Sequence, residues 1–160
     1  MTRVDFAFGA ADRLRMACEV TRKQYLAGRR LLVYTQDASR LAKFDRLLWG
    51  FDATAFIPHV AVADPLAPTT PVLLVGNADE LAQAAALFDK SATPAEGDAS
   101  AWLLNLDLYC PPAPERFARI LEIVSNHTED KNAARERWRQ YQASGLSLHA
   151  HDVSGHQPRG

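Results

Sequence analysis

The chain has 160 residues, 48% of them apolar and 23% charged, with a formal net charge of -1. That length allows one domain with a sizeable buried core. The charge balance argues against general nucleic-acid coating, since each neutralised phosphate needs a cation. The charged N-terminus has no apolar h-region and no segment approaches the ~20 apolar residues of a membrane span, so a soluble, cytoplasmic protein is expected. Cys18 and Cys110 lie far apart in unrelated contexts and read as free thiols.

In chain order, RVDFAFG (3–9) is β-prone and closes on Gly9, a first strand. Asp12 is placed to cap a helix whose stripe is Leu14, Cys18, Thr21 and Tyr25, stopped by Gly28. RLLVYT (30–35) is apolar without alternation, as a strand buried on both faces would be. Asp37 or Ser39 caps the next helix, which turns Leu41, Phe44 and Leu48 inward and ends near Trp49-Gly50. AFIPHVAV (55–62) and PVLLVG (71–76) are strand candidates, and Pro58 puts the former at an edge or end. ADELAQAAALFD (78–89) favours a helix and AWLLNLDL (101–108) a central strand. Phe117, Ile120, Leu121 and Val124 have helical spacing, predicting an amphipathic helix from near Pro114. A last helix is expected over about 129–144, stopped by Gly145, and LSLHAHDV (146–153) alternates as a strand would.

Strands alternating with helices predict an α/β fold with a mostly parallel sheet, over residues 1–152, with 153–160 as a tail. The first strand-turn-helix offers Gly9 alone where a dinucleotide loop needs several glycines, so no phosphate-binding loop, nucleotide or other cofactor is expected. His149 and His151 face the same way on the last strand, but Asp152 faces the other side; no metal site is expected, and His59 and His127 stand without local partners. Asp107, at the end of a strand, sits where α/β enzymes place carboxylates, yet such a residue more often caps a turn. No nucleophile-base pair can be named from spacing.

The helix in KNAARERWRQYQASG (131–145) carries the strongest signal. Lys131, Arg135, Trp138 and Gln142 share one stripe, Ala134, Trp138 and Tyr141 suit the buried side, and Arg137 and Arg139 point elsewhere. With an apolar edge supplied by Ile123 or Val124 of the preceding helix, two cations beside a hydrophobic notch suit an anionic ligand with an apolar group, such as a peptide C-terminus. A solvated helix face with a half-buried Trp fits the same residues.

RRLLVYTQDASRLAKFDRLLWGFDATAFIPH, LLNLDLYCPP and KNAARERWRQYQASGLSLHAHD, in that order, resemble the chi subunit of bacterial DNA polymerase III holoenzyme. The resemblance implies a Rossmann-like three-layer sandwich without enzymatic activity. It implies an adaptor that binds the psi subunit of the clamp loader and the acidic, hydrophobic C-terminal tail of single-stranded DNA-binding protein, with a repair helicase as an alternative partner. Lys131 and Arg135 then resemble the tail-binding cations, Val124 and Trp138 the apolar walls, and Gly145 the turn closing the helix. Phe56 resembles the psi-binding edge, with Trp49, Ile57 and Pro58 as its neighbours there, although Trp49 is better read as ordinary packing. Residues 77–100 and the tail look like additions to the family's shorter members. The alternatives are a small nucleotide-binding α/β enzyme, which the missing glycine loop opposes, and a direct single-stranded DNA-binding module, which needs more aromatics along a basic groove.

Overall fold

The computed structural model describes residues 2–51, 56–91 and 102–154. Its sheet has seven strands, all parallel, in the order β3-β4-β2-β5-β6-β1-β7. These are β1 (Arg3–Ala10), β2 (Leu31–Tyr34), β3 (His59–Ala61), β4 (Val72–Val75), β5 (Trp102–Asn105), β6 (Arg119–Ser125) and β7 (Ser147–Asp152). Helices α1 (Arg13–Leu26) and α2 (Ala38–Phe51) cover one face, packing Met16, Cys18, Phe44 and Leu48 onto Leu31, Val33, Leu104 and Ile123. Helices α3 (Ala78–Ser91) and α4 (Thr128–Ala143) cover the other, packing Leu81, Phe88, Ala134 and Tyr141 onto Leu32, Leu73, Ile120 and Val124. The result is a Rossmann-like three-layer α/β sandwich.

Local chemistry sets the starts of α1, α2 and α3, whereas His127 before α4 makes no side-chain capping bond. The Asp12 carboxylate accepts from Arg15 N at 3.1 Å and opens α1. Asp37 accepts from Arg40 N at 3.0 Å, and Asn77 from Glu80 N at 2.8 Å, each satisfying an N–H with no partner inside the helix. The four all-buried residues of β2 and of β4 explain why their sequences are continuous apolar runs.

The expected helix from Pro114 is not there. A short 3₁₀ turn, Pro114–Arg116, leads into strand β6, so β5 and β6 are joined without an intervening helix. The spacing of Phe117, Ile120, Leu121 and Val124 imitates a helix because β6 is buried on both faces: Ile120 and Val124 point to the α3–α4 side, Leu121 and Ile123 to the α1–α2 side. β-branched residues at 120, 123 and 124 fit that setting better than a helix. The alanine-rich stretch expected as an addition begins as an ordinary core helix, α3, with Leu81, Ala84, Ala85 and Phe88 buried; residues 92–101 lie outside the described residues.

At one edge, β7 is fastened to β1 by more than its ladder. His151 Nε2 lies 2.8 Å from Asp5 Oδ1, and Asp5 also accepts from Arg119 Nε at 2.6 Å and Arg3 Nε at 3.1 Å. Burial alone would raise the Asp5 pKa, but the hydrogen bonds from Arg119, Arg3 and His151 outweigh it and hold the carboxyl down at about 2.

Candidate functional site

Helix α4 is seated by a buried polar knot. Glu122, in the middle of β6, has a fully buried side chain and accepts from Arg137 Nε at 3.1 Å, Tyr141 Oη at 2.6 Å and Asn105 Nδ2 at 2.9 Å. Arg137 is itself only 3% exposed and gives a further bond to Leu108 O at 3.0 Å. Asn105 also donates to Tyr109 O, tying in the loop after β5. Burial, with the Glu122 charge adding to it, raises the Tyr141 phenol and pushes the Cys110 thiol up to about 11, so both remain protonated at neutral pH. Removing either partner of such a buried pair would leave the other charge uncompensated. Through Arg137 and Tyr141 it holds one face of α4 against β6.

That seating turns the next stripe of α4 over the edge of the sheet. Lys131, Arg135, Trp138 and Arg139 form one wall of an open groove of about 620 Å³. Its floor includes Phe6, Phe8 and Val124, and Ala150, Asp152 and Ser154, on and just after β7, line the far side. Trp138 stacks at an angle on Phe6, ring centroids 5.2 Å apart, and Phe6 meets Tyr141 at 6.0 Å. Gly9, at φ +85°, marks an irregularity in the β1–β6 register, and a Cβ there would come within 3.1 Å of Ser154 Cβ; glycine lets the 152–154 turn close the groove's end. Among the described residues Lys131 has no ion pair, and the Arg135 guanidinium meets only Asn132 Oδ1, at 3.3 Å. Two cations are thus left to face solvent above an apolar floor.

A second exposed surface lies at the opposite edge. Trp49, near the end of α2, is 57% exposed and Phe56 58%, with ring centroids 5.0 Å apart. Behind them His59 is buried, Nδ1 2.7 Å from Ile57 O and Nε2 2.8 Å from Asp45 Oδ1, and its ring lies 4.9 Å from Trp49. Leu47 and Leu66 are other exposed apolar side chains of the α2–β4 segment.

The family model for "DNA polymerase III chi subunit, HolC" matches residues 1–149. The chain belongs to the DNA polymerase III chi subunit family. It is 30% identical over 155 residues to DNA polymerase III subunit chi of Pseudomonas aeruginosa, covering 94% of this chain and 96% of that one. The subunit of the same name from Escherichia coli is 22% identical over 134 residues (84% and 81% covered), and that from Haemophilus influenzae 22% over 138 (86% and 85%). The family is an accessory subunit of a polymerase by name, and among the described residues no helix is long and apolar enough to cross a membrane.

Of the residues singled out for chi-like tail binding, Lys131, Arg135, Val124 and Trp138 line one groove. Gly145 does not. At φ +77° it follows the end of α4, about 20 Å along the axis from Lys131 at ~1.5 Å per residue. Val124 reaches the groove from strand β6, where a helix was expected, while Ile123 packs on the opposite face. Arg139, expected to point away, lines the groove, whereas Arg137 does turn elsewhere, into the core. On the psi-like edge Phe56 is exposed and Pro58 half-buried, but Ile57 is only 2% exposed and belongs to the core. Trp49, read as ordinary packing, is one of the most exposed large apolar side chains described.

Spacing along the chain could not reveal the partners of His59 and His151, because Asp45 and Asp5 lie 14 and 146 residues away. Asp107 is buried, accepting from Thr35 Oγ1 at 3.2 Å, with its backbone N–H donating to Asn105 Oδ1 at 3.1 Å. That is a turn-closing role.

Proposed function

We propose that the chain is a non-catalytic adaptor of the replicative polymerase, joining the clamp loader, through psi, to the C-terminal tail of single-stranded DNA-binding protein. The observation that carries this reading is the meeting of Lys131 and Arg135 with Val124, Phe6 and Trp138 in one groove. A peptide terminus brings the complementary pair of features, an α-carboxylate with neighbouring acids and an apolar last side chain. Guanidinium and ammonium groups take the carboxylates, with Arg135 suited to a bidentate grip. The apolar floor takes the side chain. Single-strand binding by stacking is less well supported, because the Trp138 ring is already engaged by Phe6.

Psi is assigned to the other edge, where Phe56 and Trp49 offer a paired aromatic surface of the kind that anchors protein interfaces. Fluorescence anisotropy tests the tail assignment, using a labelled peptide of the last ten or so residues of the host's single-stranded DNA-binding protein. Saturable binding, lost on amidating the peptide's C-terminus and weakened in Arg135→Ala, is the expected result. No binding at high protein concentration would sink the adaptor reading.

A further inference from the structure

The two edges of the sheet differ in how they are finished. β3 is three residues long and is preceded by Pro58, which has no N–H. β7 has six residues and no proline, and among the described residues no strand pairs with its outer side. Ser147 N donates to Thr2 O at 3.2 Å and Val153 N to Phe8 O at 2.9 Å, which sets the phase of the parallel ladder. Residues 147, 149, 151 and 153 therefore bond to β1, and the backbone N–H and C=O groups of Leu148, Ala150 and Asp152 point outward. Among the described residues those outward groups have no backbone partner.

The same three residues turn their side chains to the α4 face: Leu148 packs against the core there, and Ala150 and Asp152 line the groove. The unpaired edge and the cationic groove are thus continuous. The edge is also held firmly, since His151 is tied to Asp5, which is itself gripped by Arg3 and Arg119. A fixed row of donors and acceptors beside a charged pocket is the arrangement by which an extended peptide joins a sheet.

Resting on the tail-binding reading, we propose that the acidic peptide adds an eighth strand to the sheet. Its terminal carboxylate sits at Lys131 and Arg135, and its upstream backbone pairs with Leu148, Ala150 and Asp152. Direction follows from placement. α4 begins where β6 ends, with Asn126 N donating to Ala10 O at 3.1 Å, so Lys131 lies over the carboxyl end of the sheet, where Asp152 also lines the groove. A peptide ending there and passing back along β7 runs parallel to it, as every other strand in the sheet does. Lys131, Arg135 and Arg139 on the facing helix complement its acidic side chains.

The test is an N-methyl scan of the ten-residue tail peptide, one backbone N–H at a time, by anisotropy against the full chain. Methylation is expected to weaken binding about 3- to 10-fold at every second upstream position, the worth of one backbone hydrogen bond, and to change it less than about 2-fold between them. A flat or non-alternating profile for a peptide that otherwise binds overturns the added strand and leaves the adaptor reading intact. Failure of the unmodified peptide to bind overturns both. Ala150→Pro gives an independent check, because it deletes an outward donor while the bonds of 149 and 151 to β1 stay available. An expected 3- to 10-fold loss in that variant supports the pairing, and an unchanged affinity overturns it.

Discussion

The β7 end and the β3 end of this sheet expose different chemistry on different kinds of support. At the β7 end, two solvent-facing cations stand on a helix held against β6 through the buried Glu122–Arg137 pair. At the β3 end, exposed Trp49 and Phe56 lean on each other beside a buried histidine, one on the end of a helix and one in the approach to a short strand. On the proposed functions, each end carries what its contact would need. A carboxylate is gripped through directional, charge-assisted hydrogen bonds, so the helix that carries the donors has to keep one orientation. An apolar partner needs mainly area and shape, which neighbouring rings provide without an exact rotamer. One end is suited to reading a charged terminus, the other to holding a subunit.

The largest expected effect comes from removing the support rather than the surface. Glu122→Ala leaves Arg137 buried without its counter-ion, a loss on the order of 3–5 kcal/mol. For a domain of this size that lowers the melting temperature by about 10 °C. Tail-peptide binding should fall with it, while psi capture by the folded fraction persists, since Glu122 touches nothing at the aromatic end. A thermal melt indistinguishable from wild type would show that the pair does not seat α4.

Next comes Phe56→Ala. Truncating an aromatic anchor at the centre of an interface costs about 2 kcal/mol or more, so psi capture should weaken about 30-fold. The ring is more than half exposed, so the melt should move little. Pull-down with psi, run beside the peptide titration, is the measurement; equal capture by the variant would place the psi surface elsewhere. Arg135→Ala is the reciprocal case. It should weaken the tail peptide at least ~10-fold, one charge-assisted hydrogen bond's worth, and leave psi capture alone. If both contacts weakened together, the two ends would not be independent.

How much of this was legible in the chain depends on whether the information was local. Caps at Asp12 and Asp37 and the apolar runs of β2 and β4 announce their elements, because the groups that decide them are within a few residues. β6 defeats the same reasoning: a strand buried on both faces has no alternation to betray it, and the spacing of residues 117, 120, 121 and 124 happens to suit a helix. Glu122 made it harder still. A carboxylate inside a central strand is sensible only beside Arg137, Asn105 and Tyr141, which are 15 to 19 residues away. The groove divides in the same way. Lys131, Arg135 and Trp138 share a helical stripe and could be read together, but Phe6, Phe8, Ala150 and Asp152 join them through a strand order that no local pattern contains. Arg139 was misplaced because the groove is wider than one stripe, and Trp49 because a tryptophan at the end of an amphipathic helix is ordinarily buried.

The smallest expected effect separates the two ends by the force each uses. Raising salt from 0.1 to 1 M shortens the Debye length from about 10 to about 3 Å. The cations of the groove are exposed, so their attraction for acidic residues upstream of the peptide terminus is screened; at roughly 0.5–1 kcal/mol, tail binding should weaken about 2- to 5-fold. Trp49 and Phe56 carry no charge, and burying them against a partner does not depend on screening, so psi capture should hold steady over the same range. Paired titrations at the two salt concentrations make the test. A tail affinity insensitive to salt would mean that the apolar floor of Phe6, Val124 and Trp138 dominates the groove, and the contrast between the ends would shrink to one of position. A psi contact that weakened with salt would mean that charged residues outside the Trp49–Phe56 pair carry part of that interface, and the search for them would start at Asp45, whose carboxylate already stands at the edge of the aromatic surface beside His59.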